Sequence, residues 1–355
     1  MDFKALITPA AVAANWTEVA SNRVPYLGTG LFGAKKKAGL DLSWLKGHRG
    51  LPISLMPSTF DAKATFRDRI GVSKTEAEMP FFREGIKIKE KDRQELLRVQ
   101  DSNDPYAVAV IDRVFDDANE LIDAADVVPE RMRMQLLFPV DGNVGIAIKA
   151  NGVDYTYNYD QNGEWKANNY TALTGADLWT APTTADPFAA FKAAKDGVLA
   201  RTGSEVVYAI MNSATFNMMA KAEAIKNRYL STNGLALGYL TDAEVKAAIK
   251  STSGLDVVVY DKMYRDEDKV AHKFVPDGYV ALIPAGELGA TWYGTTPEEA
   301  DLMGSGKAEV AIVNTGVAIT RIIEEHPVNI NTFASEIVLP SYERMDEVAL
   351  IKVVA

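Results

Sequence analysis

One segment constrains the fold of this chain more than any other, because residues 102–138 have the pattern of a single long amphipathic helix. Asp104 is suited to cap the helix and Pro105 to stand at its first position. Apolar residues then recur at steps of three and four, with acidic residues on the opposite face. Pro129 is expected to end or kink the helix, and residues 130–137 can resume it. Such a helix would span roughly 35 to 50 Å.

The segments before this helix are poor candidates for folding alone. Residues 1–48 carry scattered apolar side chains without a sustained period, apart from a short helix expected near residues 9–19. Residues 49–95 predict a long two-stranded excursion, because residues 65–70 and 85–89 alternate in polarity. Two strands by themselves are marginal in water. The excursion must therefore pack on its own subunit or on a neighbour.

Helices and strands are mixed after the long helix. The Asn151-Gly152 turn predicts a hairpin over residues 144–160, and residues 161–184 look polar and loop-like. The pattern as a whole is α+β, with helices and strands segregated. Helices are predicted after Asp186-Pro187, at 214–229 and at 242–250, and strands at 205–211, 255–260, 279–283, 319–323, 328–333 and 348–354.

Composition narrows the classes of function. The 355 residues are 47% hydrophobic, which is ample for a buried core and suggests two domains or one elaborated domain. The formal net charge of −10 argues against wrapping nucleic acid, because phosphate binding needs concentrated Lys and Arg. The absence of cysteine excludes disulfides and thiolate sites. The N-terminus lacks the features of a secretory signal, and no stretch approaches the ~18 apolar residues of a membrane helix.

Motifs that could carry chemistry are weak. Gly28-Thr29-Gly30-Leu31-Phe32-Gly33 matches G-x-G-x-x-G, but a dinucleotide site needs a strand before it and a helix after it, and neither is expected here. A calcium loop that began at Asp266 would place Ala271 where glycine is required. The three histidines have no partner at metal-ligand spacing. No catalytic residue, cofactor or metal is therefore expected, and a cytoplasmic α/β nucleotide-binding enzyme is the alternative from a different class.

A block in the last third of the chain resembles a known family. Phe274-Val275-Pro276-Asp277-Gly278 turns into an apolar strand, and a glycine-punctuated segment follows that runs out at Tyr293-Gly294. The block is similar to the "F-x-P-D-x-x-hydrophobic … G … Y-G" block of tailed-phage major capsid proteins of the lambda head-protein family. The Leu31-Phe32 arm, the excursion, the long helix and the closing Ser341-Tyr342-Glu343-Arg344 run occur in the order that this family shows.

The resemblance implies the Hong Kong 97 fold. It places an N-terminal arm at residues 1–48 and an extended β-hairpin loop at 49–95. A peripheral domain with a spine helix would follow at 96–185, an axial domain at 186–315, and the last peripheral strands at 316–355.

The resemblance also implies a structural function rather than an enzymatic one. The chain would be a phage or prophage head protein that assembles, in the host bacterial cytoplasm, as pentamers and hexamers into an icosahedral shell around double-stranded DNA. Its partners would be other copies, a separate scaffolding protein, a portal and a decoration protein, with no membrane and no sequence-specific DNA contact. A bacterial cargo-compartment shell with the same fold is the alternative within this class.

The run Met79-Pro80-Phe81-Phe82-Arg83 is unusual because large apolar side chains stand in a polar hairpin. Aromatic and Met side chains dominate interface cores, so the run predicts docking on another subunit. Packing against its own core is an equally open alternative. The candidate inter-subunit contacts are Leu31, Phe32, Phe66, Arg67, Arg69, Met79, Phe81, Phe82 and Arg83.

Overall fold

A computed structural model describes residues 8–20, 25–46, 73–90, 105–150, 152–233 and 240–355. The chain divides into two compact units, and each unit is assembled from separate stretches of sequence. The first comprises Met1–Leu42, Glu76–Met132 and Gly289–Ser341, and the second Ser43–Thr75, Arg133–Leu288 and Tyr342–Ala355. The five-part division drawn from the resemblance stays a prediction.

The helices and strands that follow are numbered in chain order. Helices are α1 Pro9–Ala20, α2 Leu27–Leu31, α3 Pro105–Leu137, α4 Glu164–Asn169, α5 Pro187–Thr202, α6 Ser213–Lys221, α7 Glu223–Asn233 and α8 Asp242–Ser253, with a π-helical turn at Glu298–Leu302. Strands are β1 Phe32–Lys36, β2 Asp41–Lys46, β3 Ser73–Glu78, β4 Phe81–Ile88, β5 Gly145–Ala150, β6 Val153–Asn158, β7 Tyr170–Ala172, β8 Val206–Met211, β9 Asp256–Val259, β10 Met263–Arg265, β11 Ala271–Lys273, β12 Tyr279–Pro284, β13 Gly289–Tyr293, β14 Glu309–Val313, β15 Val317–Ile323, β16 Ile330–Ser341 and β17 Ala349–Lys352.

Helix α3 confirms the strongest sequence prediction. It begins at Pro105 and runs for 33 residues to Leu137, which corresponds to about 50 Å. Pro129 lies inside it without ending it, although proline has no N–H to donate to the preceding turn.

The first unit is built on a sheet with strand order β1-β13-β16-β15-β14, and β4 also pairs with β16. The β4–β16 pairing is antiparallel and extends from Ile88 opposite Ile330 to Phe81 opposite Ile337. This strand of the predicted excursion therefore packs on its own subunit. Residues 65–70, the other predicted strand, lie outside the described residues.

Helix α1 packs on the same sheet, which the sequence pattern of an arm did not indicate. Val12 and Trp16 are buried in a cluster with Leu121 and Ile122 of α3. The Trp16 indole donates a hydrogen bond of 3.0 Å to Asp123 Oδ1. The sheet contributes Val313, Val317, Ile319 and Ala334 to the cluster.

The second unit has a five-stranded sheet of order β7-β17-β12-β8-β9, with a core shared by helices α5 to α8. Helix α5 begins where Asp186-Pro187 predicted, and the Asp186 carboxylate accepts from Ala189 N at 3.1 Å. The predicted helix at 214–229 is instead two helices, because Ala222 adopts an extended backbone conformation between α6 and α7.

The Pro276-Asp277-Gly278 turn is fixed by the segment that joins β8 to α6. The Asn212 side chain caps α6 and also donates to Val275 O at 3.0 Å. Thr215 Oγ1 accepts from Gly278 N at 2.8 Å. Gly278 has φ +78°, and any Cβ there would collide with Val354. The sequence motif is therefore a turn that holds the start of strand β12 close to Val354.

Candidate functional site

The candidate contact residues differ in how much surface they offer. Phe32 and Met79 are 0% and 2% exposed, whereas Leu31, Phe81 and Phe82 are half-buried and Arg83 is exposed. Phe66, Arg67 and Arg69 lie outside the described residues. Inter-subunit contact stays a prediction for all nine.

Phe32 and Met79 each pack within the first unit. Phe32 O accepts a hydrogen bond from Thr291 Oγ1 at 3.1 Å as β1 pairs in parallel with β13. Met79 N donates to Leu40 O at 2.9 Å. Because both side chains are also almost fully buried, they contribute to the subunit's own core in the single chain.

Strand β4 presents its two phenylalanines on opposite faces, because successive strand residues alternate. Phe81 shares a face with Arg83, whose guanidinium carbon lies 4.7 Å from the Phe81 ring centroid. Phe82 lies opposite Glu336 of β16. Arg83 thus orders one aromatic side chain of the pair.

Arg83 also forms an ion pair with Glu298, which stands in the π-helical turn. The Glu298 side chain is only 6% exposed, and its Oε2 accepts from Ser335 Oγ at 2.8 Å. A buried carboxylate is costly unless it is paired and hydrogen-bonded. The contact therefore ties β4 to the sheet through a desolvated charge.

The basic run Lys35-Lys36-Lys37 is engaged inside the same unit. Lys36 forms an ion pair with Glu299, the neighbour of Glu298. Lys35 Nζ lies 5.5 Å from the Trp292 ring centroid, and Lys37 Nζ donates to Asp41 O at 2.6 Å. These three positive charges have internal partners.

A further polar network joins the end of β4 to the β15–β16 hairpin. Glu324 accepts from Asn329 at 3.1 Å, from Asn331 at 2.7 Å and from Lys87 at 3.1 Å. The hydrogen bonds from Asn329, Asn331 and Lys87 lower the pKa of Glu324 from 4.5 to about 2. Between Arg83 and Lys87, Gly85 lies against the Phe333 ring, where a Cβ would collide.

The glycine motif stands in a context unlike a dinucleotide site. Its residues lie on the short helix α2 and then on strand β1, which reverses the required order of strand and helix. Gly28 N donates to Glu130 Oε1 at 3.0 Å, so a carboxylate occupies that backbone donor.

Two features are absent from the part of the chain that the structure describes. No group of three or more His, Asp or Glu side chains there could hold a metal ion. No helix there is long and apolar enough to cross a bilayer.

Arg83 and Phe81 were predicted as inter-subunit contacts, which stays a prediction, whereas the sequence did not indicate their neighbours Glu298, Glu299 and Ser335. The only local signal was two adjacent carboxylates after Thr296-Pro297. Their partners lie 215 and 263 positions earlier in the chain, which no local pattern can connect.

A family model and several solved structures resemble this chain. A family model described as "Phage major capsid protein E" matches residues 15–353. A search of curated proteins found no match.

Solved structures resemble the chain over nearly its whole length. The putative capsid protein of a prophage of E. coli CFT073 has a TM-score of 0.61 at 14% identity, covering 98% of this chain and 99% of that one. A phage-related protein from Bordetella bronchiseptica RB50 gives 0.56 at 13% identity, with coverages of 98% and 97%. The cyanophage A-1(L) capsid subunit gives 0.50 at 14% identity, with coverages of 93% and 92%.

These likenesses establish the Hong Kong 97-like fold, with helix and sheet arranged as in phage capsid proteins. The family match covers almost the entire chain, including the described elements of both units. The chain therefore belongs to the phage major capsid protein E family.

Proposed function

We propose that this chain is the major head protein of a tailed phage or prophage, and that its copies assemble as pentamers and hexamers into an icosahedral shell around double-stranded DNA. The observation that carries the proposal is the family match over residues 15–353. The shell would form in the host bacterial cytoplasm and become part of the virion.

The surface of β4 is the part of the site best suited to contact another copy. Phe81 and Phe82 keep part of their area exposed in the single chain, and Arg83 orders Phe81. Aromatic and Arg side chains concentrate binding energy at interfaces. Leu31 would add a second, smaller contact from the helix before β1.

The negative net charge of the chain supports enclosure of DNA rather than tight binding to DNA. The formal net charge is −10, and Lys35, Lys36 and Lys37 have partners within their own unit. Release of counterions by clustered cations drives DNA binding, and this chain is poor in such clusters. A scaffolding protein, a portal and a decoration protein are the proposed further partners.

Negative-stain electron microscopy with size-exclusion chromatography of the purified chain tests the proposal. Closed shells, or rings of five and six subunits, are the expected result. A chain that stays monomeric or dimeric at high concentration, and also when co-expressed with its scaffolding protein, would contradict it.

A further inference from the structure

We propose that Glu298 and Glu299 are positioning residues that hold two N-terminal strands, β1 and β4, on the sheet of the first unit. The four side chains Glu298, Glu299, Lys36 and Arg83 are called the carboxylate latch. The latch would hold in place the strands beside Leu31 and the Phe81-Phe82 pair, which are the half-buried candidates for contact with other copies. That last step rests on the proposed function.

The two adjacent carboxylates hold two different strands. Glu298 pairs with Arg83 of β4, and Glu299 pairs with Lys36 of β1. One short π-helical turn therefore holds two strands whose first residues, Phe32 and Phe81, are 49 positions apart in the sequence. Ser335 of β16 fixes the Glu298 carboxylate from the sheet.

The burial of these carboxylates distinguishes the latch from ordinary surface ion pairs. Exposed pairs contribute little, because water screens and competes with them. The Glu298 and Glu299 side chains are only 6% and 19% exposed. In addition, Glu299 Oε2 is buried and accepts no hydrogen bond from any of the described residues. Removing a cation would leave a poorly hydrated negative charge without its partner.

Each latch cation also lies close in sequence to a pair of candidate contact residues. Arg83 directly follows Phe81-Phe82, and Lys36 closes the strand that begins at Phe32. Loosening either strand would therefore misplace one pair while the other stayed in position.

Hydrogen–deuterium exchange of the full, unassembled chain tests the latch. The variants are Lys36→Gln and Arg83→Gln, which remove the more exposed partner of each pair and so favour a folded protein. The matched controls are Lys35→Gln on β1 and Glu84→Gln on β4. Lys36→Gln should speed exchange in β1 by about threefold or more without affecting β4. Arg83→Gln should speed exchange in β4 to a similar extent without affecting β1.

The conservative variants Lys36→Arg and Arg83→Lys should restore most of the protection, since they keep the positive charge. Unchanged exchange in both strands would overturn the latch. Equal acceleration of both strands by either variant would also overturn it, because that result indicates general destabilisation.

Shell yield, measured well below the melting temperature, tests the positioning role. We expect the shell yield of each of the two Gln variants to be about threefold or more below that of the wild type, while the controls keep the wild-type yield. Normal yield from variants with loosened strands would overturn the positioning role. Strand-specific exchange effects in the variants, together with a wild-type chain that forms no shell, would instead reject the proposed function and leave the latch intact.

Discussion

Gly294 of the first unit marks a place where the backbone lies against neighbouring side chains. A Cβ added at Gly294 would stand 2.6 Å from Ile337 Cγ2 and 3.3 Å from Met79 Cε. Side chains in a packed core cannot give way by that much without strain. The glycine that closes the Trp292-Tyr293-Gly294 motif is thus explained by packing.

Gly294→Ala should destabilise the unassembled chain by about 1–3 kcal/mol, because the new methyl group overpacks the contact with Ile337 and Met79. The measurement is the free energy of unfolding in denaturant. Gly30→Ala is the matched control, since no atom lies within 4 Å of its added Cβ and the change should be neutral or slightly stabilising. Equal effects of the two changes would contradict the packing explanation.

Glu324 gives the first unit a defined dependence on acid. Its folded-state pKa is about 2, below the ordinary value of 4.5, because of the hydrogen bonds from Asn329, Asn331 and Lys87. A lowered pKa contributes stability that is fully present above pH 4.5 and is lost as pH falls toward 2.

Glu324→Gln should therefore lower the free energy of unfolding at pH 6 and change it much less near pH 2.5. The test compares unfolding of the variant and the wild type at both pH values. Glu325→Gln is the control, because Glu325 is the adjacent carboxylate of the same hairpin. A difference between Glu324→Gln and wild type that is the same at both pH values would reject the lowered pKa.

One side chain satisfies the backbone groups of one residue on the outer edge of the β5–β6 hairpin. Gln135 of α3 donates to Ala147 O at 3.2 Å and accepts from Ala147 N at 3.0 Å. The amide therefore replaces a neighbouring strand at one position, which protects an otherwise open edge.

Gln135→Ala should speed hydrogen exchange at Ala147 by about fivefold or more, because both backbone groups of that residue lose their partner. The measurement is exchange resolved over β5. Lys149→Ala is the control on the same strand, since the contact of Lys149 among the described residues is an exposed ion pair with Asp154. Unchanged exchange at Ala147 would show that Gln135 does not hold the edge.

Elements with strong local signals were predictable from the sequence. The Pro105 start of α3, the Asp186 cap of α5 and the hairpin at β5 and β6 all follow from caps, prolines and an Asn-Gly turn. Such signals act within a few residues, so the structure that they predict depends little on contacts with distant parts of the chain.

Elements set by distant contacts were missed. Helix α4 and strand β7 stand in a segment predicted to be a loop. Trp165 donates to Met345 O at 2.8 Å and Asn169 to Val348 O at 2.6 Å, so residues about 180 positions away stabilise α4. Strand β1 depends in the same way on its pairing with β13. Local propensity cannot report contacts of that range.

At the scale of the whole molecule, the order of weak motifs indicated the family better than any single motif did. The Pro-Asp-Gly turn, the long helix and the closing strands are each common in proteins, whereas their order along this chain is not. The latch partners could not be found this way, because charged residues are frequent and their pairing depends on the finished fold.

Replacing Phe81 and Phe82 together by Ala should reduce shell yield at least about tenfold while costing the unassembled chain roughly 1–3 kcal/mol, because both side chains are half-buried. Sedimentation measures yield and denaturant unfolding measures stability. Phe188→Ala in the second unit, also half-buried, is the control that should preserve assembly. A loss of stability above this range, with shell yield close to that of the wild type, would place the pair in the subunit core.

The proposed function requires that one chain build a closed shell from two kinds of ring, pentamers and hexamers. Cryo-electron microscopy of particles assembled from this chain tests it most directly. We expect icosahedral particles in which the same fold fits both five-fold and six-fold rings, with β4 against a neighbouring copy. Particles with one ring type only, or density that the fold does not fit, would contradict the account.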